Sequence, residues 1–191
     1  ILAPGPSTFD GPLHNSIPEP DRTQDNSTIW EPDYSQRYFK NLYFGTTGET
    51  FRTYYQQQSS GRYDATGDVT QWVKVPYNEA RYGRSDGFPC GDAVCANTWD
   101  LVRDGMNRWV ANQKASGRTT AEIKARLATF DVYDRYDFDG DGDFNEPDGY
   151  IDHLQIIHAG GDQADGDEIQ GEDAIWSHRW YAFVSDAGVT G

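Results

Sequence analysis

Cysteine is nearly absent from this chain: Cys90 and Cys95, in PCGDAVC, are its only two. A structural zinc site needs four ligands, and no histidine lies near this pair in sequence. A gap of this size in a glycine-containing turn can close a small disulfide ring, free thiols being the other reading. Long apolar runs are missing too. No stretch approaches the roughly 18 apolar residues of a membrane span, so no membrane-spanning segment is expected. Bases are few, with 16 Lys and Arg against 31 Asp and Glu. That balance argues against nucleic-acid binding, because neutralising phosphates needs a basic face. Neither phosphate-binding glycine motif, G-x-x-x-x-G-K-[ST] or G-x-G-x-x-G, is present. No signal peptide is visible, and the first residues, ILAPGP, lack a methionine, which suggests a processed or trimmed product.

What remains is a chain of 191 residues with 36% hydrophobic and 14% aromatic content. That is enough for one domain, residues 1–191, with a core built on Trp, Tyr and Phe as much as on aliphatics. The net charge of −15 is concentrated. Residues 131–173 hold fifteen acids and one base, Arg135, and the rest of the chain is nearly neutral. Interleaved Tyr, Ile, Leu and Trp make a disordered acidic tail a poor description. A divalent cation is the simplest partner for so much negative charge in a folded region.

Residues 137–148, DFDGDGDFNEPD, show how such a cation could be held. Asp137, Asp139 and Asp141 occupy positions 1, 3 and 5, Gly142 position 6, Asp143 position 7, Asn145 position 9 and Asp148 position 12. This is the ligand schedule of an EF-hand calcium loop, with Asp in place of the usual bidentate Glu at position 12. The expected Ca2+ ligands are the carboxylates of Asp137, Asp139, Asp141 and Asp148, the backbone carbonyl of Asp143, and Asn145 through a water. Asp152, four residues beyond, could add a ligand or accept hydrogen bonds.

Residues 1–32 carry six prolines and read as an extended strap. Asp33 with Gln36 suggests a capping box before a helix carrying Tyr38 and Leu42, and a second helix is expected from Thr50 to Gln58. RYDATGDVTQWVKVPY reads as strands around a Gly67-Asp68 turn, and 79–92 as glycine-rich loop. Trp99, Val102, Met106, Trp109, Val110 and Gln113 share one stripe of a long helix over 97–115. Thr119 with Glu122 caps another helix to about Thr129. YIDHLQIIHAG is the strongest expected strand, and AIWSHRWYAF the next.

His153 and His158 stand five apart on that expected strand and would face opposite sides, so they would not share one metal. Ser177-His178 does not form a hydrolase pair, since adjacent strand residues diverge. Trp176 and Trp180 read equally well as core or as surface. On these residues alone, a calcium-stabilised extracellular binding module without chemistry is a viable reading.

The segments GPLHNSIPEPDRTQDNSTIW, GRYDATGDVTQWVKVPYNEARYG, DRYDFDGDGDFNEPDGYIDHLQIIHAGGDQ and EDAIWSHRWYA together resemble the immune inhibitor A family of secreted bacterial metallopeptidases, most nearly its actinobacterial branch. The resemblance implies an α/β (α+β) fold: a zincin-like upper subdomain in which a mixed twisted sheet packs with long helices and an EF-hand-like calcium loop. It implies a secreted, extracellular zinc endopeptidase with structural calcium, acting on protein or peptide substrates. Trp176 and His178, in IWSHRW, become candidates for the edge of a substrate cleft. The family's HExxH zinc motif is absent from these 191 residues. The expectation is therefore an N-terminal part of a catalytic domain, whose Zn2+ ligands and remaining partner segment lie C-terminal to it.

Overall fold

The computed structural model describes residues 19–27, 29–83, 96–166, 171–177 and 179, without the side chains of 96, 97 and 165. Within them the chain separates into two compact units that meet in sequence between Trp72 and Val73.

The first unit is built on two short helices. Helix α1 spans Gln36–Phe44 and is capped by Ser35, whose side chain accepts from the Tyr38 N–H. The sequence places the cap at Asp33; the serine two residues later takes it. Helix α2 spans Phe51–Gln58, and Thr50 and Thr53 cap one another's backbone reciprocally. Aromatic contact supplies most of the packing. Tyr34, Tyr38, Phe39 and Trp72 form one edge-to-face series. Tyr43, Phe51, Tyr55 and Tyr63 form a second series of mostly tilted ring contacts. The Trp72 indole donates to the Tyr34 carbonyl at 2.7 Å, so a half-buried aromatic body keeps its polar edge satisfied. Gly67 lies against the Phe44 ring, where a β-carbon would come within 2.4 Å of its edge.

The second unit contains α3 (Glu79–Gly83), α4 (Ala96–Ala115), α5 (Thr120–Ala128) and two 3₁₀ turns, Gln163–Asp165 and Gly171–Asp173. Helix α4 closes with the Arg118 and Gly117 N–H groups on the Gln113 and Lys114 carbonyls, a Schellman pattern. Helix α5 opens on the expected box: the Glu122 N–H donates to Thr119 Oγ1 and the Thr119 N–H to Glu122 Oε2. Val75, Tyr82, Leu101 and Ile175 make a small buried cluster. Tyr82 is only 1% exposed and donates its hydroxyl to Asp104 of α4 at 2.8 Å. Burial and that carboxylate push its phenol well above the ordinary tyrosine value, so it stays a donor at every physiological pH. Replacing Tyr82 by Phe should cost about 1 kcal/mol of unfolding free energy, the net worth of one buried hydrogen bond. Urea denaturation measures it; an unchanged midpoint would show that the bond contributes nothing.

The mixed twisted sheet is not found. Among the described residues there is no sheet, and the one β-pairing is an isolated parallel bridge between Asp162 and Ile175. The α/β class is corrected accordingly: what is described is helices joined by ordered irregular segments. Alternating apolar residues make a segment able to pair, but a strand exists only when a second backbone lies alongside. In YIDHLQIIHAG the alternation meets no such partner among the described residues; Leu154 and Ile156 stay 48% and 38% exposed. The stretch around Gly67-Asp68 likewise carries no ladder. Helix α3 is the converse case, since 79–83 falls in the region read as loop.

Candidate metal centre in the acidic loop

The loop hangs from the end of α5 and is closed at its base by carboxylates. Asp131 accepts from the N–H groups of Asp148 and Gly149, both at 2.9 Å. Asp152 accepts from Val132 at 2.9 Å and Tyr133 at 3.3 Å, while its own N–H reaches the Phe130 carbonyl at 2.9 Å. The two ends of the loop are thus tied side chain to backbone, in place of a strand ladder.

Inside the loop each aspartate turns the chain over itself. Asp139 accepts from the Asp141 N–H, Asp141 from Asp143, Asp143 from Asn145, and Asp148 from Tyr150, at 2.7–3.1 Å. These side-chain turns are what Asp offers in place of regular structure. The longest reach is from Gly142, whose N–H meets Asp137 Oδ1 at 3.0 Å and wraps positions 1 to 6 around the first carboxylate. Gly142 has φ +85°, which explains glycine at position 6, and Asp137 itself sits at φ +51°, a region Asp tolerates better than most side chains.

Two groups of carboxylates converge. Asp134, Asp137 and Asp139 present oxygens all within 4.8 Å of one another, as do Asp139, Asp141 and Glu146. Asp139 belongs to both. Of the carboxylates the sequence singles out, Asp137, Asp139 and Asp141 lie in these groups, whereas those of Asp143 and Asp148 do not. Asp134 and Glu146 are additions. Asp134 is 3% exposed and accepts from the Tyr136 and Phe138 N–H groups at 3.1 and 2.7 Å. Its burial has no sequence signature, because it follows from the fold around it. Asp141, with Asp139, Asp143 and Asp134 behind it, pushes the Glu146 carboxyl above its ordinary value. That is the mark of a concentrated negative field. A carboxylate that accepts one N–H retains lone pairs for a cation. All-oxygen donors at this density suit a hard cation of the calcium or magnesium type. They do not suit a catalytic zinc, which takes histidine nitrogen or cysteine sulfur among its ligands.

The candidate cleft segment lies elsewhere in this unit. Trp176 is 39% exposed and follows Ile175, the residue bridged to Asp162. His178, Cys90 and Cys95 lie outside the described residues. His153 is exposed and His158 half-buried; they are not brought together in a metal group among the described residues. Burial pushes the His158 imidazole below its ordinary value, so it is neutral near pH 7.

A family model for the immune inhibitor A peptidase M6 catalytic domain matches residues 8–191. Immune inhibitor A of Bacillus thuringiensis subsp. alesti is 34% identical over 176 residues, which cover 87% of this chain and 23% of that protein. Pre-pro-metalloprotease PrtV of Vibrio cholerae serotype O1 (strain M66-2) is 33% identical over 167 residues, covering 83% of this chain and 17% of that protein. The chain therefore spans less than a quarter of the length of these relatives.

Proposed function

Since the chain belongs to the immune inhibitor A peptidase M6 family, we propose that it is the N-terminal part of a secreted, calcium-stabilised zinc metalloendopeptidase. The match over residues 8–191 carries this reading. The relatives' names, an immune inhibitor and a pre-pro-metalloprotease, agree with a protease made for export.

In this reading zinc would polarise the scissile carbonyl and activate water. The donors shown do not fit that ion, since among the described residues the converging groups are carboxylates alone, and no HExxH occurs in the 191 residues. No step of hydrolysis is therefore assigned to a side chain here, and the zinc ligands belong to the remainder of the catalytic domain. The contribution of this part is structural and positional. Asp137, Asp139, Asp141 and Asp148 hold Ca2+ with the Asp143 carbonyl and Asn145 through a water, and Asp134 and Glu146 lie within reach. Trp176 and His178 edge the cleft, where an extended peptide can pair along the backbone. Cys90 and Cys95 form a disulfide in the oxidising compartment.

The test compares the complete protein with residues 1–191 expressed alone. The complete protein should hold stoichiometric zinc and cleave casein, and a zinc chelator should abolish cleavage. The isolated chain should neither retain zinc through gel filtration nor cleave casein. Cleavage by the isolated chain would overturn the assignment of zinc to other residues. A complete protein without zinc or proteolysis would favour the alternative, a non-catalytic calcium-stabilised binding module.

A further inference from the structure

Away from the acidic loop, a second carboxylate is buried. Glu79, at the start of α3, is 2% exposed. Its Oε1 accepts from the Ile175 N–H at 3.3 Å and lies 3.7 Å from His158 Nδ1. Gly160 is pressed against the same carboxylate, where a β-carbon would fall 1.8 Å from Oε2. At the far end of α3 a β-carbon on Gly83 would fall 2.4 Å from the Ala174 carbonyl carbon. One short helix thus meets the backbone of 174–175 through a glycine at one end and a carboxylate at the other.

The other side of the segment is tied as firmly. The Gln163 N–H donates to the Ile175 carbonyl at 3.2 Å, and Asp162 Oδ1 accepts from the Ser177 N–H at 3.0 Å. Both backbone groups of Ile175 are engaged, its N–H by Glu79 and its carbonyl by Gln163. Burying a carboxylate costs several kcal/mol in general unless its bonds repay it, and the Ile175 N–H is one such bond. A carboxylate is the stronger acceptor and fixes a backbone N–H more tightly.

We propose that Glu79 is a positioning residue: its carboxylate sets the path of backbone 174–177 and so aims Trp176 at the substrate. The direction of Trp176 toward substrate rests on the reading that this segment edges the cleft; the anchoring of the backbone does not. An acceptor misplaced by an ångström far from the reacting atoms is enough to alter how a substrate is held.

The experiment uses the complete protein and three variants: Glu79→Leu, Glu79→Gln and Trp176→Ala. Glu79→Gln keeps an acceptor oxygen without the charge and serves if Glu79→Leu fails to fold. Hydrogen exchange followed by mass spectrometry reads the backbone of 174–177, and steady-state cleavage of quenched-fluorescent peptides reads KM and kcat. In Glu79→Leu, exchange at 175–177 should accelerate above the change elsewhere, and KM should rise about tenfold with kcat unchanged, the pattern of lost ground-state binding. Glu79→Gln should fall between that variant and the parent, and Trp176→Ala should raise KM likewise. Unchanged exchange over 174–177 in both Glu79 variants overturns the inference. So does a raised KM in Trp176→Ala with none in Glu79→Leu. Accelerated exchange with KM unmoved in all three variants overturns the cleft assignment and upholds the anchoring.

Discussion

Chelating calcium should lower the melting temperature of this protein by about 5–10 °C, and calcium should restore it better than magnesium. The magnitude follows from linkage: a ligand at about a hundred times its Kd adds about 2.7 kcal/mol, and each kcal/mol moves the transition of a chain this size by about 2–4 °C. The cause is the field inside the loop. Asp139 shares oxygens with two carboxylate groups, and Glu146 is pushed up from its ordinary value of 4.5 by Asp141 first and by Asp139 and Asp143 as well. For a carboxyl raised in the folded state, the sign is clear. Its contribution favours folding below the unfolded value and is lost as pH rises through the folded one. The contribution of Glu146 in metal-free protein should therefore fall as pH climbs from about 4.5, and calcium should offset it. Asp139→Ala should remove most of the calcium response, while relieving repulsion in the chelated protein. Opposite effects of one substitution with and without calcium distinguish a cation site from a solvated acidic surface. Melting curves that ignore both chelator and Asp139→Ala would leave the loop without a cation.

Replacing Gly160 by Ala should destabilise the fold by about 3 kcal/mol, combining backbone strain with overpacking against a group that cannot retreat. Gly160 sits at φ +111°, a conformation side chains rarely adopt, and its α-carbon faces the buried Glu79 carboxylate. The clash cannot be relieved by swinging Glu79 outward, because the same carboxylate holds the Ile175 N–H. Denaturant unfolding of the variant checks the loss. A double variant with Glu79→Ala, which opens the space, should recover the overpacking part and leave the strain. If Gly160→Ala is neutral, the contact between the 158–162 turn and α3 is looser than described.

Much of the local structure is legible in the chain. Helices α2, α4 and α5 fall where apolar periodicity and capping residues put them, since a cap and a stripe act within four residues of each other. The turn geometry of the acidic loop is equally local: Asp and Gly at fixed offsets bend the backbone without help from elsewhere. Family membership was legible for the same reason, being carried by contiguous segments.

Other features depend on what lies alongside. Alternation in YIDHLQIIHAG specifies a face, but pairing needs a second backbone, and among the described residues only Asp162 and Ile175 meet in that way. Helix α3 is too short for propensity to nucleate it; burying Tyr82 and Glu79 does so. The buried carboxylates Asp134 and Glu79 read as ordinary surface acids in sequence, because desolvation is a property of surroundings. The sequence by itself determined helices α1, α2, α4 and α5, the loop's turns and the family, all set by residues within a few positions of one another. Only the tertiary structure decided which acids are buried and which oxygens converge, since those depend on contacts between residues as far apart as Glu79 and Ile175.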